Sequence, residues 1–488
     1  MGLWVVSKRH LEVGKLKLLL ENAVTTRMVR EGLTKNRAGK TRIEEVLDCY
    51  GRRDGMSLAG KARYYPLFKL LDLMKKGLDW DEETFLRGIR SPTTKRLILN
   101  IFQTVQKYGV RMPQVFASPL MVVWNYTYRC NLKCRHCYQD AGSLGREHMV
   151  GGELSTEERL QVVDQIASYN IPTLSFSGGE PFIEKDIWEV AGRAKECGLY
   201  ISANSNGTLI NREVARKLRD MDFAYVAVSV DAADSRIHDA FRGVPGMWEL
   251  AVQGIRNLVD VGMTTCISFT MTNYNYDQLS GLFKLREKLG AYKVIVYNFI
   301  PTGRGDYRDD PTPEMREAAY KMMFDEIQKG NHVVATTAPQ FSRFCKSHCG
   351  ESIVLSHIGE AKAREIGVVA ELVGGCGVAR CYIAVQPDGN VTPCVYMPDV
   401  VIGNLNRERL GDIWEKSELL ESMRTRDELW GHCSVCDDKM LCGGCRARAH
   451  SYYGDMKAPD PGCIKNRAYI SRSKHGAFLE RASVAASS

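Results

Sequence analysis

The middle of the chain alternates between short apolar runs and amphipathic helical segments. Apolar runs predict six strands, at residues 120–128, 173–177, 200–204, 224–230, 265–270 and 293–300. Helical patterns separate them, and the clearest begins with a capping box at Ser155 and Glu158. Strands joined by helices predict a parallel sheet with right-handed crossovers. Because six units are too few to close an eightfold barrel, we predict an α/β fold with an open (βα)6 partial TIM barrel.

Polar side chains follow two of these strands at the edge where such sheets bind ligands. In open parallel sheets the ligand lies at the carboxyl ends of the strands. Asn204, Ser205 and Asn206 follow the third strand, and Ser229 and Asp231 end the fourth. Asn and Ser are also common turn and cap residues. The pattern therefore leaves ligand contact and a turn role equally open for each position.

Three cysteines lie on the loop after the first predicted strand. Cys130, Cys134 and Cys137 have the spacing C-x3-C-x2-C. Three thiolates on one loop supply three of the four ligands of a cubane iron–sulfur cluster and leave one iron open. An open position on a metal is a place for chemistry. The next strand ends in the sequence Gly-Gly-Glu-Pro at residues 178–181, which alone would indicate a turn.

Together the two motifs resemble those of radical S-adenosylmethionine (SAM) enzymes, in which C-x3-C-x-aromatic-C precedes a Gly-Gly-Glu-Pro strand end. The resemblance covers about residues 118–310, and His136 occupies the aromatic position. It implies that Cys130, Cys134 and Cys137 hold a 4Fe–4S cluster whose open iron binds the amino and carboxyl groups of SAM. Such a cofactor supplies the chemistry itself, by reductive cleavage of SAM to methionine and a 5′-deoxyadenosyl radical.

The same resemblance assigns contacts to the bound SAM. Gly178 and Gly179 would let the backbone approach the methionine moiety closely, and Glu180 would accept a hydrogen bond from its ammonium group. The other expected SAM-binding positions are His136, Asn204, Asn206, Ser229, Asp231 and the backbone beside Ile300.

A second group of cysteines lies near the C-terminus. The run Cys433-x2-Cys436-x5-Cys442-x2-Cys445 contains paired C-x2-C motifs, which are typical of zinc ribbons as well as of iron–sulfur sites. By itself the run leaves the two metals equally open. Downstream of the radical SAM motif, it resembles a SPASM domain, the auxiliary-cluster extension of radical SAM enzymes that modify peptides or build cofactors. A Pro-Asp-Gly sequence at 387–389 matches the hairpin turn of that domain.

The resemblance to SPASM domains implies two auxiliary 4Fe–4S clusters, and so three clusters in all. One would be bound by Cys376, Cys381, Cys394 and Cys445. The other would be bound by Cys433, Cys436, Cys442 and Cys463. The hairpin spacing is shorter than usual and the last spacing is x2 instead of x3, so the partition of ligands is less firmly implied than the clusters themselves. Because full ligation leaves no open iron, we favour electron transfer from the substrate radical as their role.

The motifs divide the chain into four regions. We predict a helical N-terminal extension at 1–115, a radical SAM core at 116–340, a linker at 341–375 and a SPASM domain at 376–488. Helical patterns in the extension cover residues 16–24 and 65–74. A basic amphipathic helix can rest on a membrane surface, and a helical cap packed on the core is the interpretation that we favour.

Composition narrows the class of protein. No run of 18 apolar residues exists in the 488, so no membrane-spanning helix is predicted. Sixteen cysteines in a charged chain without a signal peptide indicate metal ligation in a reducing, cytoplasmic compartment. The net charge of +8 indicates a solvated surface and no nucleic-acid partner. Histidine spacing predicts no zinc site, and free thiols are predicted at Cys49, Cys197 and Cys266. For Cys345 and Cys349 we favour non-ligating thiols, and the alternative is that one of them replaces Cys376 or Cys381 as a ligand.

These features predict a radical SAM oxidoreductase or maturase that abstracts hydrogen from an organic substrate, with a flavodoxin- or ferredoxin-type donor. Sulfatase-maturating relatives carry an Asp that acts as a base directly after the hairpin cysteine. Val395 occupies this position here, which disfavours oxidation of a seryl or cysteinyl side chain. The loop at 301–305 resembles that of heme-biosynthesis members, which trim tetrapyrrole side chains; Arg304 would face an anionic substrate group or cap this loop. Peptide modification and a lipid substrate stay open. The alternatives are an iron–sulfur electron carrier without SAM chemistry and a zinc-ribbon scaffold.

Overall fold

A computed structural model describes residues 21–77, 81–142, 152–329, 333–349 and 374–470. Within these ranges ten strands form one sheet in the order β10-β9-β8-β1-β2-β3-β4-β5-β6-β7. The strands are β1 Met121–Asn125, β2 Thr173–Ser177, β3 Tyr200–Ser205, β4 Tyr225–Ser229, β5 Thr265–Met271, β6 Lys293–Asn298, β7 Val334–Thr336, β8 Tyr382–Val385, β9 Asn390–Thr392 and β10 Gly403–Asn404. All neighbours from β8 through β1 to β7 are parallel, which confirms the predicted α/β class.

The six predicted strands are all present, and the sheet extends beyond them on both sides. β7 pairs with β6, and β8 from the C-terminal region pairs in parallel with β1. These two strands are three and four residues long, too short to show a periodic pattern in the sequence. The first strand is also shorter than predicted and ends at Asn125, because the chain beyond it turns to contact the end of β2.

Helices cover the outer side of the parallel strands. In the core they are α6 Thr156–Ser168, α7 Ile187–Glu196, α8 Arg212–Asp220, α9 Ser235–Arg242, α10 Met247–Asp260, α11 Leu279–Leu289, α12 Pro313–Gln328 and α13 Gln340–Cys349. The predicted capping box is present, since the Ser155 hydroxyl accepts from the Glu158 amide and the Glu158 carboxylate accepts from the Ser155 amide. The largest buried cluster joins strands, helices and the C-terminal region around side chains such as Trp124 and Trp414.

The N-terminal extension is a helical layer with a buried core of its own. Its helices are α1 Ala23–Gly32, α2 Arg42–Cys49, α3 Leu58–Gly77, α4 Glu82–Arg90 and α5 Pro92–Tyr108. Arg96 donates to the carbonyls of Ala167 and Cys197, at the ends of α6 and α7. The extension therefore packs on the core as a cap. Of the helical pattern at 16–24, the first five residues lie outside the described residues.

The C-terminal region consists of the β8–β9 hairpin and short helices. These helices are α14 Leu410–Lys416, α15 Glu418–Arg424, α16 His432–Val435, α17 Arg446–Tyr453 and α18 Arg467–Ile470. Short 3-10 turns complete the chain at Tyr50–Gly55, Pro181–Ile183, Tyr276–Gln278, Tyr307–Asp309 and Ile464–Asn466. The predicted linker begins with α13, and its residues 350–373 lie outside the described residues. Among the helices that the structure describes, none combines the length and apolar character needed to cross a membrane.

Candidate iron–sulfur and SAM site

A cavity of about 320 Å³ opens at the carboxyl ends of the parallel strands. Its walls contain the three cysteines of the first motif and four cysteines of the C-terminal region. These seven are Cys130, Cys134, Cys137, Cys376, Cys381, Cys394 and Cys445. The last four are the set that was predicted to bind one auxiliary cluster. The fold thus brings two predicted cluster sites to one cavity, although they are more than 230 residues apart in sequence.

The Gly-Gly-Glu motif holds the cysteine loop against the end of β2. The Gly179 amide donates to the Thr127 carbonyl at 2.8 Å, and the Glu180 amide donates to the Arg129 carbonyl at 2.9 Å. A Cβ atom on Gly179 would lie only 2.0 Å from the Arg129 carbonyl oxygen. Gly178 has a φ of 113°, in the region that favours glycine. Both glycines also line the cavity, so their small size serves the loop contact and leaves backbone open toward a ligand.

The thiols of the first motif fit a metal–sulfur cluster. Burial raises the pKa of Cys130 to about 12 and also raises the pKa of Cys134, so thiolates here need a bound cation. Backbone amides point at two of the sulfur atoms, with Leu132 donating to Cys130 at 3.5 Å and Ala141 to Cys137 at 3.3 Å. Such N–H to sulfur contacts are typical around iron–sulfur clusters. No group of His, Cys, Asp and Glu in the described ranges is arranged to hold a single metal ion.

Arg242 connects the fourth strand to the cysteine loop. Its guanidinium donates to the Asp231 carboxylate at 2.6 Å and points at the Cys134 sulfur at 3.6 Å. Burial alone would lower the pKa of Arg242, and the adjacent Asp231 raises it above the ordinary value. Asp231 is fully buried and lies outside the cavity wall, whereas Arg242 is part of it. The carboxylate thus acts on the site through Arg242.

Glu180 is turned away from the cavity and joins the ends of two strands. Its carboxylate accepts hydrogen bonds from the Ser205 hydroxyl at 2.9 Å and from the Asn206 amide at 2.7 Å. The side chain is fully buried, and burial raises the pKa of Glu180 to about 7. In this arrangement the carboxylate fixes the strand ends beside the cysteine loop. Its expected contact with the SAM ammonium stays a prediction.

We expect Glu180→Gln to remove a pH dependence of stability. Because the pKa of Glu180 is raised from 4.5 to about 7, the folded protein keeps a proton that the unfolded chain loses. Stability of the wild type therefore falls as the pH rises through this window, by up to about 3 kcal/mol. A glutamine side chain at this position does not titrate. The stability of the variant relative to the wild type should therefore increase as the pH rises from about 5 to about 8. A constant difference between the denaturation midpoints of the two apo-proteins across this pH range would contradict the raised pKa of Glu180.

The remaining strand-end residues line the cavity as predicted from their positions. Asn204, Asn206, Ser229 and Ile300 are all in its wall. The Asn206 side chain donates to the Asn131 side chain at 2.7 Å, which ties the third strand to the cysteine loop. Tyr297 donates to the Asn204 side chain at 3.0 Å. These polar groups are held by one another in addition to facing the cavity.

His136 is packed as an aromatic side chain. Its ring stacks on Phe241 with centroids 4.1 Å apart and planes 7° from parallel. Burial lowers the pKa of His136 well below its ordinary value, so the ring is neutral at physiological pH. The Nδ1 atom is buried and has no hydrogen-bond partner in the part of the chain that the structure describes. The neutral stacked ring agrees with its place in the aromatic position of the motif.

Tyrosines that the sequence analysis missed lie between the two cysteine sets. Tyr138, Tyr297 and Tyr396 line the cavity, and the rings of Tyr138 and Tyr396 are 5.1 Å apart. The Tyr138 hydroxyl donates to the Asn125 side chain at 2.8 Å. Burial raises the pKa of Tyr138 and of Tyr396, which keeps both phenols protonated. Closeness in sequence to a predicted cluster cysteine could have identified two of them, because Tyr138 follows Cys137 directly and Tyr396 lies two residues after Cys394.

The second auxiliary set lies apart from the cavity. Burial raises the pKa of Cys442 and, to about 12, that of Cys463, and the nearby Cys433 thiol contributes to both shifts. Asn466 donates to the Cys433 sulfur at 3.4 Å, and Lys465 points at the Cys436 sulfur at 3.9 Å.

The β8–β9 hairpin has its predicted turn, with Gly389 at a φ of 80°.

Arg304 caps the cysteine loop. Its guanidinium donates to the carbonyls of Cys134 and Ala141 and to the Asp140 carboxylate, at 2.7–3.0 Å, so it holds this loop.

The cysteines outside the predicted cluster sets lie away from the cavity or in the core. Cys345 is fully buried in the main hydrophobic core. Cys49, Cys197 and Cys266 are free thiols away from the cavity wall, and the side chain of Cys349 lies outside the described residues.

Comparison with known proteins identifies the family. A model of the radical SAM superfamily matches residues 124–285, and a model of the SPASM iron–sulfur cluster-binding domain matches residues 376–437. An AdoMet-dependent heme synthase from Methanosarcina barkeri is 34% identical over 351 residues, which cover 71% of this chain and 97% of that protein. The chain belongs to the radical SAM superfamily.

Other radical SAM proteins are similar over comparable lengths. The mycofactocin maturase MftC of Mycolicibacterium smegmatis is 30% identical and covers 71% of this chain and 83% of that protein. The crystal structure of SuiB from Streptococcus suis matches with a TM-score of 0.61 at 16% identity, over 87% of this chain and 93% of that one. At this identity the likeness concerns the fold alone.

The comparisons decide between the alternatives that the cysteine spacing left open. The match to an iron–sulfur cluster-binding domain over residues 376–437 favours iron–sulfur clusters over a zinc ribbon in this region. The named relatives are synthases and maturases, so the electron-carrier alternative is not supported. This chain is a radical SAM enzyme whose cofactors are 4Fe–4S clusters and SAM.

Proposed function

We propose that this radical SAM enzyme abstracts hydrogen from a side chain of a tetrapyrrole. The observation that carries the proposal is the identity of 34% to an AdoMet-dependent heme synthase across nearly the whole length of that relative. A further relative at 31% identity is an Fe-coproporphyrin III synthase. The predicted heme-type loop at 301–305 lies beside the cavity, where Arg304 holds the cysteine loop.

The residues have distinct roles in this proposal. Cys130, Cys134 and Cys137 would bind the cluster that supplies reductive cleavage of SAM. Asn204, Asn206, Ser229 and Ile300 would form the wall against SAM, with Arg242 beside Cys134. Asp231 and Glu180 act as positioning residues, since both are buried behind that wall.

The C-terminal cysteines would bind two auxiliary clusters, which gives three clusters in all. The set at Cys376, Cys381, Cys394 and Cys445 faces the cavity and so lies next to a bound substrate. The set at Cys433, Cys436, Cys442 and Cys463 is not part of the cavity wall that the structure describes. This order suits electron removal from the substrate through the first cluster to the second. A flavodoxin- or ferredoxin-type protein would donate the electron that cleaves SAM. The same proposal keeps the domain limits at 116–340 for the core and 376–488 for the auxiliary domain.

We expect Cys436→Ala to remove about four irons while SAM cleavage continues. Cys436 lies in the outer set, and the first motif has no contact with it among the described residues. Iron analysis after anaerobic reconstitution measures the loss. Cys49→Ala is the matched control, because Cys49 is a free thiol in the N-terminal extension. An unchanged iron content in Cys436→Ala would refute its assignment as a ligand.

The substrate proposal is tested with Fe-coproporphyrin III. We expect the reconstituted enzyme, with SAM and dithionite, to form 5′-deoxyadenosine together with a tetrapyrrole whose side chain is oxidised. Mass spectrometry detects both products. If 5′-deoxyadenosine forms but the tetrapyrrole is recovered unchanged, the tetrapyrrole proposal fails while the radical SAM assignment stands.

Peptide modification is the second candidate. The identity of 30% to a mycofactocin maturase favours it. So does the cavity, whose described wall contains one cationic side chain, Arg242, already paired with Asp231. A tetrapyrrole with several carboxylates would have to place them at the cavity mouth. A peptide library incubated under the same conditions distinguishes the two candidates.

A further inference from the structure

Two buried arginines flank the turn that connects the two auxiliary sets. This turn, Cys442-Gly443-Gly444-Cys445, carries one predicted ligand of each cluster. A Cβ atom on Gly443 would lie 2.4 Å from the Arg426 guanidinium carbon, and one on Gly444 would lie 2.4 Å from Arg446 Nη2. Both glycines have positive φ values, 66° and 64°. The Gly-Gly pair therefore lets two guanidinium groups pack directly on the turn.

Neither guanidinium has a carboxylate partner among the described residues. Arg426 donates to the carbonyls of Lys439, Met440 and Gly374. Arg446 donates to two carbonyls at 2.8 Å and to the Gly444 carbonyl at 3.4 Å, and its buried Nη2 atom has no hydrogen-bond partner in the part of the chain that the structure describes. Their side chains are almost completely buried. Several other buried arginines have carboxylate partners, among them the pairs Arg242–Asp231, Arg316–Asp310 and Arg448–Asp460.

A buried cation without an anion is unfavourable, so the site needs negative charge from another source. Burial and the neighbouring cations Arg380 and Arg446 lower the pKa of Arg426 to about 9, and the groups that act against this are Cys442 and Cys376, one from each auxiliary set. A cluster bound by four thiolates is an anion, and it gains one more negative charge when it takes up an electron. A fixed cation beside such a cluster stabilises the reduced form more than the oxidised form.

We propose that Arg426 and Arg446 are built-in counter-charges of the auxiliary clusters, which raise the clusters' reduction potentials and so make them acceptors of electrons from the substrate. This inference rests on the proposed assignment of the eight C-terminal cysteines. In the step that it concerns, the substrate radical loses one electron and an auxiliary 4Fe–4S cluster gains it. The arginines stay protonated throughout and form no bond to iron.

The test is a potentiometric titration of the auxiliary clusters, followed by electron paramagnetic resonance. In Arg426→Met we expect the ratio of reduced to oxidised cluster at a fixed potential to fall about tenfold, which corresponds to about 59 mV for a one-electron couple. The larger change should affect the cluster bound by Cys442, whose thiolate is the first to counter burial of Arg426. Arg426→Lys keeps the charge and should shift the ratio much less.

Arg424→Met is the matched control. Arg424 is as buried as Arg426 and lies two residues before it, and it is paired with the Glu421 carboxylate. Removing it should leave both potentials unchanged. If Arg426→Met retains its iron and titrates like the wild type, the proposal is overturned.

Loss of iron in a variant is also decisive. If Arg426→Met loses an auxiliary cluster, Arg446→Met is titrated by the same criterion. Should both Met variants lose iron while both Lys variants retain it, charge is required to hold the clusters and the proposal stands. Should the Lys variants lose iron as well, the guanidinium shape and not its charge is needed, and the proposal fails. A wild-type protein with about four irons instead of about twelve would instead refute the cluster assignment itself.

Discussion

Cys134→Ala should abolish formation of 5′-deoxyadenosine. Cys134 is buried at the cavity wall, receives the Arg242 guanidinium, and lies in the middle of the C-x3-C-x2-C motif. With two thiolates left, the loop cannot hold a cubane cluster with an open iron. The rate should fall to the background of the assay, because reductive cleavage requires SAM bound at an open iron and the fully ligated auxiliary clusters would offer none. The auxiliary cysteines are untouched, so about eight of about twelve irons should remain.

Cys197→Ala is the control for this experiment. Cys197 lies at the end of α7, away from the cavity wall, and its sulfur contacts Asp164 at 3.8 Å. This variant should keep its full iron content and its rate. SAM cleavage that persists in Cys134→Ala, at the level of Cys197→Ala, would show that the first motif is not the site of cleavage.

Arg448→Met should destabilise the protein by about 3–5 kcal/mol, the usual cost of breaking a buried ion pair from one side. Arg448 is fully buried and lies between Asp460 at 3.3 Å and Asp310 at 3.5 Å. It also donates to the Phe299 carbonyl at the end of β6. Burial alone would lower the pKa of Arg448, and the two carboxylates raise it above the ordinary value. Its loss leaves Asp460 buried beside Cys445, whose amide donates to the Asp460 carboxylate at 2.6 Å.

Urea denaturation followed by tryptophan fluorescence measures this effect. Arg236→Met is the control, since Arg236 is exposed and its pair with Asp234 is screened by solvent and should contribute little to stability. The double variant Arg448→Met/Asp460→Asn should recover part of the loss, because it removes an uncompensated charge. A cost for Arg448→Met as small as that of the exposed control would show that this network does not hold the auxiliary region to the core.

The six central strands could be predicted because each is at least five residues long and flanked by helices with clear polar and apolar faces. The pairing of β8 with β1 could not, since it joins residues more than 250 positions apart and rests on four residues. For the same reason the sequence did not show that the C-terminal cysteines close over the strand ends. The position of a residue after a strand predicts the edge of the sheet on which it lies. Packing of distant segments determines which side chains are its neighbours there.

The candidate site also contains residues whose position could be predicted from local sequence and residues whose contacts could not. Cys130, Cys134 and Cys137 were placed correctly at the strand edge, because their spacing on one loop is local. Glu180 and Asp231 were expected to contact SAM, which stays a prediction, and the structure shows both carboxylates buried with hydrogen-bond partners from other segments. Whether a carboxylate faces a cavity or an arginine depends on tertiary packing that local sequence does not contain. The counter-charge role of Arg426 depends on such packing too, since its contacts extend to residue 374.

In the proposed function, SAM and the substrate meet in one cavity between the two sets of cysteines. This is tested with Fe-coproporphyrin III deuterated on its propionate side chains, incubated with the reconstituted enzyme, SAM and dithionite. We expect deuterium to appear in 5′-deoxyadenosine, because the radical would take its hydrogen from the substrate beside it. Tetrapyrrole turnover accompanied by 5′-deoxyadenosine without deuterium would contradict it, since the hydrogen would then come from another source.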